Sequence, residues 1–167
     1  RRLEIQARAL LQFRAEYPNA ASRVKGIDAA SQEIGCRPEV FAPVFRLLGS
    51  SVPEGNWVTS PILKRLRKTY HAGEDFLDIV DGLRAIDEAI YFLNLDCGDR
   101  IGHAIALGID SEVWYKGKAY QVSLYAHDYL DNLAWMYHAL EKIGTEDFQP
   151  LKDYLIKQFD IYFREIY

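Results

Sequence analysis

The sequence predicts an α/β protein with a parallel sheet, followed by a helical C-terminal part. Three short β-prone runs, at residues 23–27, 66–70 and 100–103, alternate with segments of helical periodicity. Strands that alternate with helices pair in parallel through right-handed crossovers. Polar residues at the end of each run should therefore share one edge of the sheet. The periodicity leaves open whether this sheet is half of a barrel or a small open sheet.

The helical segments are recognised by apolar residues at intervals of three or four. Residues 2–16 follow this pattern and stop before Pro18, which predicts the end of the first helix. Pro38 suits the first position of a second helix, and Gly49 suits its end. Residues 76–93 form an amphipathic segment of about five helical turns and separate the second strand from the third.

The C-terminal third has a different character. Residues 122–140 and 151–167 each carry a helical apolar stripe, the second rich in tyrosine and phenylalanine, and no strand is predicted there. We therefore divide the chain into a β/α segment, residues 1–110, and an all-helical extension or insertion, residues 111–167.

Composition and net charge disfavour several classes of binding partner. The net charge of −4 disfavours binding to nucleic acid or to an anionic membrane. No apolar run approaches the roughly 20 residues of a membrane span. Cys36 and Cys97 lack the spacing of a disulfide framework, which fits a cytoplasmic protein. The chain opens on Arg1 and its one methionine is Met136, so we expect an internal segment of a longer protein.

Two motifs concentrate the residues with acid–base and metal-binding chemistry. His71-Ala72-Gly73-Glu74 follows the second strand, and Arg100-Ile101-Gly102-His103 forms the third. The small residues between histidine and glutamate allow a tight turn. The two histidines should therefore lie near each other at the strand ends, with the glutamate beside them.

Together, these HAGE and RIGH motifs resemble the central active-site motifs of the adenosine deaminase family. The resemblance implies a zinc-dependent hydrolytic deaminase acting on adenosine or an adenine nucleotide, in a larger bacterial adenosine-deaminase-like protein. It also implies that the β/α segment is part of a (β/α)8 TIM-type barrel, about its fourth to sixth β/α units. Carried over to this chain, His71 would be a zinc ligand, Glu74 the proton donor to the purine ring, and His103 the histidine that orients the metal-bound water.

A third segment, residues 26–33, resembles the family's fourth strand, where a glycine amide contacts the purine. Ser31 occupies the position of that glycine. The resemblance thus implies that Asp28, Ser31 and Gly73 bind the substrate, a purine nucleoside or nucleotide.

Two features of the family are missing from this chain. An HxH pair on the first strand and an aspartate on the last supply its other zinc ligands, and neither pattern occurs here. We therefore expect zinc in the complete protein, with the remaining ligands outside this chain. The alternatives are a non-catalytic assembly module with a degenerate deaminase fold, or a metal hydrolase of the same superfamily with another substrate. Open sheet edges also predict either a homo-oligomer or cover by the aromatic C-terminal helices.

Overall fold

Three parallel strands form the sheet in the part of the chain that the structure describes. The structure is a computed structural model, and it describes residues 2–29, 32–50, 64–144 and 146–167. The strands are β1 (Gly26–Ala29), β2 (Arg67–Ala72) and β3 (Arg100–His103). β2 lies between β1 and β3, and both pairings are parallel.

The prediction of a (β/α)8 TIM-type barrel segment is wrong. Most of the described residues are helical, and the three strands make a small open sheet. A barrel closes only when the tilt and register shift of about eight strands bring the first beside the last. A strand–helix–strand unit has the same local geometry in an open sheet as in a barrel. The two motifs therefore could not distinguish these architectures.

Two compact units divide the described residues. The first is formed by described residues of the ranges Arg1–Asp75 and Ala85–Ala104, and the second by those of Phe76–Arg84 and Ile105–Tyr167. The sheet lies in the first unit.

The first unit also contains α-helices. They are α1 (Arg2–Glu16), α2 (Pro18–Ala21), α3 (Ala42–Ser50) and, from Ala85 onward, α4 (Ile79–Phe92). Side chains of β2 alternate between exposed or half-buried and fully buried positions. On the buried side, the Tyr70 ring packs edge-on against Phe41 and Phe45, at 5.7 and 6.0 Å between centroids. A hydrophobic cluster joins α1, α3 and the sheet: Ala7, Leu48 and Leu66, with Leu10, Leu11, Val24, Ile27 and Val44.

A buried ion pair joins β2 to the segment just before β3. The side chains of Lys68 and Asp99 are 1% and 0% exposed, and Lys68 Nζ lies 3.3 Å from Asp99 Oδ2. Asp99 also accepts hydrogen bonds from the backbone N–H groups of Lys68, at 2.9 Å, and Asp96, at 3.1 Å. Lys68 Nζ donates to the carbonyls of Leu93 and Asn94, just after α4. This pair therefore ties the end of the crossover helix to the centre of the sheet.

A second cation supports the same helix end. Arg46 donates from Nε to the Phe92 carbonyl at 2.6 Å and from Nη2 to the Tyr91 carbonyl at 3.2 Å. The last carbonyls of a helix lack partners within the helix and carry partial negative charge. Arg46 and Lys68 therefore satisfy these carbonyls and complement the helix dipole.

The second unit consists mainly of α5 (Ser111–Gly117), α6 (Ala126–Ile143) and α7 (Gln149–Ile166). α6 packs against α7, with the rings of Tyr129 and Tyr162 edge-on at 4.7 Å. Gly144 ends α6 in the left-handed conformation, at φ 73°. Within the described ranges, no helix has the length and apolar character needed to cross a membrane.

A chain of hydrogen bonds runs through the buried polar groups of this unit. Arg84 Nε donates to Asn132 Oδ1 at 2.7 Å, and Asn132 Nδ2 donates to Asp81 Oδ1 at 2.6 Å. The Tyr115 hydroxyl donates to Asp78 at 2.5 Å, and the Asp78 N–H donates to Asp81 at 3.2 Å. Burial raises the pKa of the Asp81 carboxyl, and the hydrogen bond from Asn132 partly offsets that rise. The network thus supplies partners for polar groups that burial removes from water.

Asp99→Asn should test the buried ion pair, because asparagine keeps the shape and removes the charge. Removal of one partner from a buried pair leaves an uncompensated charge and costs about 3–5 kcal/mol. We expect urea denaturation to show a decrease of that size in the unfolding free energy. Asp96→Asn is the matched control, since Asp96 is 48% exposed and pairs with Arg65 at the surface. Its loss should be below about 1 kcal/mol. Equal losses in the two variants would contradict this role of the pair.

Acid should destabilise the protein partly through Asp99. Burial acts to raise the pKa of this carboxyl, but the N–H groups of Lys68 and Asp96 and the Lys68 ammonium lower it below the usual 3.8. Such a group stabilises the fold above its unfolded pKa, and the contribution is lost as pH falls through the lower folded value. We expect the unfolding free energy to fall below about pH 4, and to fall less steeply in Asp99→Asn. Identical acid profiles for the two proteins would assign the effect to other carboxyls.

Candidate functional site

Four of the side chains predicted from the motifs lie together at the C-terminal edge of the sheet. Asp28 lies on β1, His71 on β2 and His103 at the end of β3. Glu74 is the second residue after the end of β2. His71 is the register partner of Gly102, so the two histidines are offset by one residue along neighbouring strands. The expected convergence of these residues on one edge is confirmed.

Asp28 and His71 form the first histidine–carboxylate contact. His71 Nδ1 lies 3.2 Å from Asp28 Oδ1, and the His71 side chain is 25% exposed. Nδ1 is nevertheless buried and makes no directed hydrogen bond within the described ranges. A hydrogen bond requires the N–H to point at its acceptor as well as a short distance. The contact is therefore electrostatic, and it is strongest when the imidazole is protonated.

Gly102 provides the space for the His71 ring. A Cβ at this position would lie 2.3 Å from His71 Cδ2 and 2.7 Å from Nε2, closer than carbon and nitrogen atoms can approach. The imidazole thus lies directly against the backbone of β3. Gly102 belongs to the RIGH motif, but the sequence offered no sign that its missing side chain makes room for His71.

Glu74 and His103 form the second contact. His103 Nε2 lies 3.0 Å from Glu74 Oε2, and the two side chains are 48% and 40% exposed. The rings of His71 and His103 are 5.4 Å apart between centroids, so the two histidine–carboxylate pairs adjoin. Proton transfer requires donor and acceptor within about 2.6–3.2 Å. The second pair meets this distance requirement, and both of its side chains are partly exposed to solvent.

The backbone around the second pair is strained. His103 and the following Ala104 both have positive φ, at 61° and 49°. This conformation costs a residue with a Cβ about 1–2 kcal/mol. The Ala104 N–H bonds the Ala72 carbonyl at 3.1 Å and the Gly102 carbonyl at 2.8 Å, which holds the turn in place. Strain of this kind is concentrated at functional sites, and here it lies beside the exposed Glu74–His103 pair.

Sequence reasoning assigned no role to Glu33. Its carboxylate accepts hydrogen bonds from the N–H of Gly73, at 2.8 Å, and of Glu74, at 3.1 Å. The available signal was its position, since Glu33 follows β1 at the edge where the other polar residues lie. Asp28 contacts His71, and its predicted role in substrate binding stays a prediction. Ser31, predicted for the same role, lies outside the described residues.

The described residues do not fit a zinc ion by themselves. A catalytic zinc takes three protein ligands and leaves one position for water. Within residues 2–29, 32–50, 64–144 and 146–167, no group of three or more histidine, cysteine, aspartate or glutamate side chains is arranged to hold a metal. His103 Nε2 faces Glu74. The role of His71 as a zinc ligand therefore stays a prediction.

No protein-family model matches the chain, and no curated protein sequence matches it. The resemblance to adenosine deaminases thus rests on the HAGE and RIGH motifs and on the residues 26–33. These are the same segments whose ends meet at the edge of the sheet.

Gly102→Ala should displace the His71 ring, because the new methyl group would occupy its space. Overpacking of this kind costs about 1–3 kcal/mol. We expect a changed His71 imidazole resonance in a carbon–proton NMR spectrum and a lower unfolding free energy. Gly108→Ala is the control, since a Cβ at Gly108 meets no atom within 4 Å. An unshifted His71 resonance in Gly102→Ala would show that the two residues are not in contact.

Proposed function

We propose that this chain supplies the proton-transfer groups of a hydrolytic deaminase that acts on adenosine or an adenine nucleotide. The observation that carries the proposal is the 3.0 Å contact between His103 Nε2 and Glu74 Oε2 at the C-terminal edge of the sheet. Enzymes with parallel sheets place their chemistry at this edge. The HAGE and RIGH motifs follow each other in the order that the resemblance requires, and their side chains lie together at the sheet edge. Both features support a deaminase over another enzyme with an acid–base pair.

Hydrolytic deamination needs a proton on the purine ring. Water loses one proton as its oxygen bonds to the carbon that carries the amino group, while the adjacent ring nitrogen takes a proton. The remaining hydroxyl proton passes to the amino group, the carbon–nitrogen bond breaks, ammonia leaves, and a carbonyl remains. In this proposal the Glu74 carboxyl donates the ring proton, and a general acid in that position contributes about 10²–10⁴-fold in rate.

His103 would orient the attacking water, as the resemblance implies, and would pass the proton that this water releases to Glu74. Its Nε2 is within hydrogen-bond distance of Glu74 Oε2, so one proton can pass between the two groups. Both side chains are partly exposed, which leaves Glu74 accessible to the ring of a substrate.

The neighbouring residues would shape the site that binds the purine ring. Gly73 is buried, and Glu33 accepts the hydrogen bond of its N–H. Its contribution in this proposal is therefore the absence of a side chain, which lets a flat ring approach the turn. Asp28 and His71 lie at the same edge, and His71 would be one ligand of a zinc ion. The other zinc ligands would come from residues outside this chain.

The alternative is a non-catalytic module. The described residues bring together no set of three metal-binding side chains, whereas zinc is the expected source of the attacking hydroxide. A module of this kind would bind a purine nucleoside without converting it. Turnover and binding must therefore be measured on the same protein.

The test uses Glu74→Gln in the natural protein that contains this sequence, with adenosine and adenosine monophosphate as substrates. We expect release of ammonia by the natural protein and a decrease in kcat by a factor on the order of a hundred in the variant. The zinc content should stay the same, because Glu74 is not a ligand in this proposal.

Asp75→Asn is the matched control, since Asp75 is the exposed acidic neighbour of Glu74. We expect its kcat to stay within twofold of that of the natural protein. Full activity in Glu74→Gln would exclude Glu74 as the proton donor. Binding of adenosine without release of ammonia by the natural protein would favour the non-catalytic module.

A further inference from the structure

Glu33 binds the backbone of the turn that presents Glu74. It lies in the loop after β1, forty residues before the Gly73 amide that it contacts. Its Oε2 accepts from the Gly73 N–H at 2.8 Å, and its Oε1 accepts from the Glu74 N–H at 3.1 Å. One carboxylate thus binds two successive amides, with one oxygen for each.

This arrangement is stronger than an ordinary loop contact. Hydrogen bonds to an ionised acceptor are shorter and roughly twice as strong as bonds between neutral groups. Successive N–H groups in a turn form a small concavity that binds anions. Gly73 has φ 77°, which is the conformation that such a turn requires and that glycine adopts without strain.

The Glu74 side chain has little else to fix it. It is 40% exposed, and its carboxylate lies 3.0 Å from His103. An exposed side chain is not confined by packing, so its position depends on the backbone that carries it. That backbone is held at two consecutive amides by Glu33.

We propose that Glu33 is a positioning residue that fixes the Gly73–Glu74 turn and thereby holds the Glu74 carboxyl against His103. The two hydrogen bonds carry this inference, which rests on the proposed deaminase function only for its kinetic consequence. A carboxylate is required because both amides must meet an acceptor. Glutamine would offer one oxygen and would present an NH₂ group to the second N–H.

The first experiment measures amide hydrogen exchange by NMR in the full chain and in its Glu33→Gln variant. We expect the Gly73 and Glu74 amides to exchange at least about tenfold faster in the variant. The Ala104 amide is the internal control, because it bonds the backbone carbonyls of Ala72 and Gly102 and should keep its rate. Glu39→Gln, a change in an exposed acidic residue, should leave all three rates unchanged.

The second experiment is kinetic and uses the natural protein. We expect Glu33→Gln to lower kcat about tenfold with KM within twofold. In a Glu74→Gln background the same substitution should have no further effect on kcat, because its action passes through Glu74. A residue that only stabilises the loop would lower kcat equally in both backgrounds.

The outcomes separate this inference from the proposed function. Unchanged exchange at Gly73 and Glu74, or equal kcat losses in the two backgrounds, would overturn the role of Glu33. If Glu33→Gln fails to fold, Glu33→Asp keeps the charge with a shorter reach and should give intermediate exchange rates. Rates in Glu33→Asp equal to those of the natural chain would also overturn the inference. Absence of deaminase activity in the natural protein would defeat the proposed function, while the exchange result would still decide the role of Glu33.

Discussion

The buried pair of Lys68 and Asp99 sets the alignment on which the edge of the sheet depends. Lys68 lies in β2, Asp99 immediately precedes β3, and the pair is fully withdrawn from water. An ion pair in such surroundings is costly to separate, so it tolerates one arrangement of the two segments. Three residues beyond each member lie His71 and Gly102, which are partners in the strand register. An interaction at the N-terminal end of β2 thus determines what meets at the C-terminal end.

The two ends of the sheet differ in the burial of their charged groups and in backbone strain. At the N-terminal end, Lys68 donates to the Leu93 carbonyl just after α4 and pairs with Asp99, so this charge is buried and satisfied, while the exposed Arg46 binds the Phe92 carbonyl. At the C-terminal end, the charged groups are partly exposed and the backbone adopts costly conformations. Burial at one end supplies the rigidity that strain at the other end requires. Glu33 extends this rigidity to the turn after β2.

Local patterns predicted the helices, the position of β3 and the meeting of the motifs, but not the boundaries of β1 and β2. The end of the first helix before Pro18 depends on neighbouring residues and is confirmed. β1 was expected at residues 23–27 and lies at Gly26–Ala29, because pairing with β2 decides which residues count as strand. The barrel prediction was wrong because closure depends on strands far apart in the chain. The contact of Glu33 with the Gly73 amide was missed for the same reason, since nothing in either segment alone indicates the other.

The left-handed backbone at His103 and Ala104 has a consequence for how this chain would evolve under different selections. Glycine adopts positive φ more easily than alanine, so selection for thermal stability alone would favour glycine at position 104. Such a replacement would leave every functional side chain of the edge in the sequence, but the backbone next to His103 would become more mobile. Libraries screened for solubility or heat resistance would therefore become enriched in variants whose backbone at the C-terminal edge of the sheet is more mobile. Libraries screened for turnover would keep a residue with a Cβ at this position.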